Sequence, residues 1–150
     1  MSSQPPLGLT ARWSYETTLP GEPGSAWRAR AFVSRHLVAH RLPHLVDPVR
    51  LTASELATQA VVRQDEFTMT LSELDDIVLL SVRHATPPPA PEATPEQDPD
   101  SVAALGLKIV ALVSLDCGVE LDSNGVQTVW ASFARRRVRR PVSRRRRLSP

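Results

Sequence analysis

The chain has 150 residues, 41% of them hydrophobic and 23% charged, a balance that suits one domain around one core. No apolar run approaches the 18 or so residues of a membrane span, which excludes a transmembrane helix, and the first residues lack an apolar stretch of signal-peptide length. The net charge of +2 hides an asymmetry: nine arginines and no acid fall between 135 and 150, leaving nine basic against sixteen acidic groups before them, a net of −7.

Residues 1–10 are rich in Ser, Pro and Gly and read as a disordered N-terminus. From Ala11 to Leu19, alternation of Trp13, Tyr15, Thr17 and Leu19 with polar neighbours predicts a first strand, ended by Pro20-Gly21-Glu22-Pro23-Gly24. Ser25 is a suitable N-cap for a helix from Ala26 to about His40, with Ala29, Phe32, Val33, His36, Leu37 and His40 on one side. His36, His40 and His44 recur every four residues, but Pro43 interrupts the helix between them and no acid or cysteine joins them, so a metal site is not expected. Asp47-Pro48, a capping Asp followed by a proline in the first turn, starts a second helix that runs to about Arg63. Its Leu51, Glu55, Leu56, Gln59, Ala60 and Arg63 share a broad face.

The period then switches to two. Phe67, Met69 and Leu71 alternate with Thr68, Thr70 and Ser72, a turn follows at Asp75-Asp76, and residues 77–83 are mostly apolar on both faces. This pattern is that of an antiparallel hairpin with a buried second strand. Residues 85–100 hold six prolines and no large apolar side chain, a loop of unusual length. A third helix opens after Asp100 or Ser101 with a stripe of Val102, Leu105, Ile109, Leu112 and Val113. Cys117, the single cysteine, cannot form an internal disulfide; it reads as a structural thiol in a cytoplasmic protein. Val119 to Leu121 forms a short strand, Ser123-Asn124-Gly125 a hairpin turn, and Val126 to Phe133 a closing strand. The order β-α-α-β-β-loop-α-β-β predicts an α+β, two-layer α/β sandwich, a mainly antiparallel sheet with about three helices on one face. The arginine run at 135–150 reads as a disordered tail that could contact nucleic acid or an acidic surface.

Four short motifs in this order resemble those of the histidine-kinase-like ATPase family, with its Bergerat-type ATP-binding fold. The likeness is to the branch of anti-sigma-factor serine kinases and stand-alone bacterial ATP-binding regulators, and it spans residues 11–134. Leu51-Thr52-Ala53-Ser54-Glu55-Leu56-Ala57-Thr58-Gln59-Ala60 resembles L-x-x-S-E-L-x-T-N-A. By that resemblance Glu55 is the general base, and Gln59 stands where an Asn holds Mg²⁺. Positions i and i+4 share a helix face, so both would point into one pocket. Gln reaches on a longer arm than Asn, and Mg²⁺ requires tight octahedral geometry, which weakens the metal site.

Ser81-Val82-Arg83-His84-Ala85-Thr86-Pro87 resembles V-x-V-x-D-x-S/G-P, in which the Asp reads adenine; here His84 takes that place. Val102-Ala103-Ala104-Leu105-Gly106-Leu107 resembles the phosphate-contacting G-G-x-G-L and keeps Gly106 and Leu107. Gly125-Val126-Gln127-Thr128-Val129-Trp130 resembles the last hairpin, G-x-x-T-V-W, whose Thr, here Thr128, helps to hold adenine. The resemblance thus implies a nucleotide site of Gln59, His84, Gly106, Leu107 and Thr128, with residues 85–100 as a shortened, proline-rich ATP lid. ATP and Mg²⁺ are its cofactors if that pocket works. The expected role is that of an anti-sigma-factor-like regulator acting by protein binding with weak or lost nucleotide binding. The alternative is an active serine/threonine protein kinase. The implied partners are a sigma factor or an anti-anti-sigma-like antagonist, and small members of the family often form homodimers.

Overall fold

A computed structural model describes residues 10–87 and 102–136, with the side chains of residues 102–105 left aside. The expectations for a disordered segment at 1–9, for the lid from residue 88 to residue 100 and for the tail from residue 137 onward lie outside the described residues. The chain runs β1 (Trp13–Leu19), α1 (Ser25–Ala39), a 3₁₀ turn (Pro43–Leu45), α2 (Val46–Arg63), β2 (Phe67–Leu74), β3 (Ile77–His84), α3 (Val102–Val113), β4 (Asp116–Leu121) and β5 (Gln127–Ala134). The strands form one antiparallel sheet in the order β1-β2-β3-β5-β4, and the fold is α+β, as the alternation of periods predicts.

Strand register decides which residues meet the helices, because facing partners on adjacent strands point to the same side of the sheet. Met69 pairs with Val82 and Val82 with Val129, while Leu71 pairs with Leu80 and Leu80 with Ala131. These residues join Phe67, Val78 and Phe133 in the hydrophobic core. The helices complete that core. Ala29, Phe32, Val33 and Leu37 come from α1, Val49, Ala53, Leu56, Ala57 and Ala60 from α2, and Val110 from α3. The opposite side of the sheet carries Thr18, Thr68, Arg83, Thr128 and Glu120 in one row across the strands.

Two helix starts differ from the sequence reading. Ser25 is the first residue of α1 rather than its cap; its hydroxyl donates to the Pro20 carbonyl at 2.6 Å and so ties the helix to the end of β1. Asp47 lies inside the first turn of α2, because the 3₁₀ turn runs straight into the helix and Leu45 takes the cap position. Its carboxylate still complements the positive helix N-terminus. The turns behave as their residues suggest. Asp75 and Gln64 adopt left-handed backbone, with φ of 48° and 54°, and Gln64 caps α2. In the last hairpin, Gly125 has φ of 80°, and the Asp122 carboxylate accepts from the backbone N–H groups of Asn124 and Val126. β4 starts at Asp116, earlier than the apolar Val119–Leu121 stretch suggests, so Cys117 sits half-buried on a strand rather than at a helix end.

Gly21 marks the closest backbone approach. A Cβ there would fall 2.4 Å from the Asp65 nitrogen and 2.6 Å from its carbonyl oxygen. The β1–α1 loop therefore rests directly on the α2–β2 turn, and rigid backbone cannot move aside cheaply. Gly21→Ala is expected to cost about 2–3 kcal/mol, at the upper end of overpacking penalties. Gly24→Ala, where nothing lies within 4 Å, is the control. Urea unfolding of both variants checks this, and equal midpoints would refute it.

Candidate functional site

The seat of α2 on the sheet turns the helix so that Glu55, Gln59 and Arg63, spaced four apart, follow one another along a single face. α3 crosses the first part of that face at Gly106. A Cβ on Gly106 would lie 2.8 Å from Gln59 Nε2 and 3.4 Å from Glu55 Oε2. The structure thus brings Glu55, Gln59 and Gly106 together. Leu107 is beside them but packs against the hydrophobic core. Gln59 Nε2 is buried and has no hydrogen-bond partner.

Arg63 occupies the far end of the same face. Its guanidinium donates to Gln127 Oε1 at 3.4 Å and to the Thr86 carbonyl at 3.2 Å, and it pairs with Asp65 at 3.6 Å. Asp65 also accepts from the Thr86 backbone N–H at 3.3 Å. Both side chains of the pair are largely buried. His84, at the end of β3, is 2% exposed, and its Nδ1 lies 3.9 Å from Asp65 Oδ2, too far for a hydrogen bond. Nδ1 of His84 and Nε of Arg63 are buried without hydrogen-bond partners, like Gln59 Nε2. Three of the four such atoms among the described residues therefore belong to this one group.

His84 is neutral at pH 7. Burial and, after it, the neighbouring Arg63 charge lower its pKa from 6.5 to about 4, against the opposing pull of Asp65. An imidazole in this state offers one donor and one acceptor nitrogen.

Thr128 does not join the group. It pairs with Arg83 on one side and Glu120 on the other, on the face of the sheet away from the helices. Strand side chains alternate, so the residue that turns toward α2 is its neighbour Gln127, which accepts from Arg63. Arg63, Asp65 and Gln127 are the members of the site that motif matching passed over. Arg63 was findable, since it lies one helical turn beyond Gln59; Asp65 was not, because only the left-handed turn at Gln64 carries it back toward His84.

Of the three α1-region histidines, His36 and His40 stack on Tyr15 and Trp13, while His44 Nε2 donates to the Arg135 carbonyl. Among the described residues no group of three or more His, Cys, Asp or Glu side chains could hold a metal ion, and no helix is long and apolar enough to cross a membrane. A comparison with models of known protein families finds no match, and no curated protein matches the chain.

The His84 environment predicts a pH effect on stability. The folded state keeps the imidazole neutral, whereas the unfolded chain takes up a proton near pH 6.5. Stability is therefore complete above about pH 6.5 and declines as pH falls toward 4, by up to about 3 kcal/mol. Thermal unfolding at pH 7.5, 5.5 and 4.5 should show this loss, and His84→Gln should flatten it. An unchanged slope in the variant would exclude His84 as the source.

Proposed function

We propose that this protein is a regulator acting by protein binding, with the scaffold of the ATP-binding anti-sigma-type proteins and a nucleotide grip that is weak or lost. The observation that carries the reading is the Arg63 guanidinium. It is bound to Gln127, the Thr86 carbonyl and Asp65, between α2 and the ends of β3 and β5. By the resemblance, a purine amine is read at the end of β3. His84 replaces the carboxylate there, and the nearest carboxylate, Asp65, is already neutralised by Arg63 and by the Thr86 N–H. A base entering here would have to break a largely buried ion pair, and breaking such pairs is costly.

Protein docking has separate support at the other edge of the molecule. Leu112, Leu115, Val119 and Leu121, from the end of α3 through the edge strand β4, are all exposed. Exposed apolar side chains clustered on neighbouring elements mark interaction surfaces more often than chance. A sigma factor or an anti-anti-sigma-like antagonist is the partner that the resemblance suggests.

The second reading, an active ATP- and Mg²⁺-dependent serine/threonine kinase, is favoured by one observation. Glu55 and Gln59 lie beside Gly106, where a base, a metal ligand and a close-approaching backbone would be needed together. Titration with a fluorescent ATP or ADP analogue, with and without Mg²⁺, separates the two. The regulator reading expects no saturation below about millimolar nucleotide, the weak end of ordinary affinities. Micromolar, Mg²⁺-dependent binding would overturn it, and loss of phosphoryl transfer in Glu55→Ala would then assign the base.

A further inference from the structure

β4 is the last strand of the sheet, and among the described residues its outer edge is paired to nothing. The register with β5 fixes where its backbone groups point. The Asp122 N–H donates to the Val126 carbonyl at 3.1 Å. Antiparallel ladders alternate residue by residue, so Glu120 and Gly118 also turn their backbone groups to β5, whereas Cys117, Val119 and Leu121 turn theirs outward. The Cys117 N–H is taken by the Asp116 carboxylate at 2.9 Å. The N–H groups of Val119 and Leu121 are left facing away from the sheet. β4 contains neither proline nor lysine, two devices that keep an edge from pairing.

The two faces of this strand differ. Cys117 and Val119 pair with Ala131 and Val129 of the core, so they and Leu121 lie on the helix side. Helix packing leaves the outer part of that side open: Val119 is 47% exposed, Leu121 64%, and Leu115, just before the strand, 65%. The other face carries Asp116, Gly118 and Glu120. Both acids are exposed, and neither has an ion-pair partner among the described residues. Between them the half-buried Trp130 indole reaches across from β5. A Cβ on Gly118 would lie 2.9 Å from its Cζ2 and 3.0 Å from its Nε1. An aromatic ring flanked by two carboxylates suits a cation.

We infer that β4 is the docking edge for an extended peptide segment in which apolar and basic residues alternate, added to the sheet as a sixth strand. The inference rests on the protein-binding reading above and specifies the chemistry of the partner. Main-chain bonds to Val119 and Leu121 hold the segment. Its apolar side chains lie against Val119, Leu121 and Leu115, and its basic side chains meet Asp116, Glu120 and the Trp130 ring. Charge favours this occupant over a second copy of the chain. A copy laid antiparallel along β4 and centred on Gly118 would set Asp116 against Glu120, and one centred on Val119 would set Asp116 against Asp122. Like charges directly opposed are destabilising. A basic segment instead complements both acids, on a body of net charge −7.

The test uses the full chain and a fluorescein-labelled peptide of about eight residues, the length of an ordinary strand, with valine and arginine in alternation. A second peptide carries the same residues with the arginines grouped at one end. Anisotropy should show tighter binding of the alternating peptide. Asp116→Asn with Glu120→Gln should weaken it about five-fold, as for the loss of two exposed ion pairs. Leu121→Ser should weaken it about ten-fold, as for one leucine left uncovered. Glu16→Gln, on the opposite edge strand, should change nothing. All the substituted residues are exposed, so the thermal midpoint should stay at the wild-type value. Amide hydrogen exchange gives the readout specific to strand addition. Bound peptide should slow Val119 and Leu121 and leave Gly118 and Glu120, already bonded to β5, unchanged. Equal binding of the grouped peptide, affinity unchanged in the β4 variants, or unslowed Val119 and Leu121 amides would each overturn the proposal. So would sedimentation showing a dimer of the free chain in which those two amides are already slow. None of these results would touch the regulator reading, because the nucleotide titration that tests it does not involve β4.

Discussion

The close seat of α2 on the sheet is the constraint on which the remaining structure depends. Ala53, Ala57 and Ala60 are fully buried, and with Val49 and Leu56 they let the helix lie against the centre of the sheet. Small side chains permit that approach, and interior packing leaves little room for larger ones. Once the helix is seated, its rotation is fixed. Glu55, Gln59 and Arg63 are then turned toward α3 and the ends of β3 and β5 rather than into solvent or core. Gly106 continues the same logic on the next element, because α3 can cross α2 only where no Cβ intervenes. The polar group is therefore positioned by apolar packing on the sheet-facing side of α2.

This dependence explains what could be seen in the sequence. The hydrophobic periods placed every helix and strand, since a period of two or of 3.6 states directly which side is buried. Glu55 and Gln59 could be assigned to one face for the same reason. Thr128 could not be placed by its motif alone. A strand reverses its facing at each residue, and the pairing with Arg83 and Glu120 turns Thr128 away from the helices and Gln127 toward them. Helix starts were similarly beyond local reading. Ser25 has a capping side chain, but the Pro20 carbonyl competes for its hydroxyl, and Asp47 loses the cap position to a preceding 3₁₀ turn. Arg135 looks like the first residue of a solvated run, yet the buried Glu73 carboxylate needs a cation and takes it. In each case a long-range contact decided between alternatives that local sequence leaves equal.

The distribution of charge follows from a related requirement. Glu73 is 4% exposed, on the helix-facing side of β2. An ionised carboxylate at that depth must be paired or pay a large desolvation cost. Trp13 Nε1, Arg12 and Arg135 answer it from three directions. One buried acid thus gathers the start of β1, the end of β5 and the ring cluster of α1 into a single corner. The same corner holds the first arginine of the 135–150 run against the body.

The two ends of the α2 face also differ in electrical character, and this bears on any ligand. At Gln59 and Gly106 an amide donor is buried without a partner and a carboxylate stands nearby, an arrangement that keeps some capacity for a polar guest. At Arg63 the charge is balanced by Asp65, and His84 is neutral because burial and, after it, the neighbouring cation oppose a second positive charge. A neutral histidine at the end of β3 thus lies beside the pair of Arg63 and Asp65 without adding a charge to it. Arg63 lies close to the strand end, and Asp65, from the turn after α2, balances it. An Asp at position 84 would place two carboxylates about one guanidinium, raising the pKa of one of them. Residue 84 and the ion pair of Arg63 with Asp65 are thus coupled: an acid at 84 would leave one of the two carboxylates uncompensated in the interior.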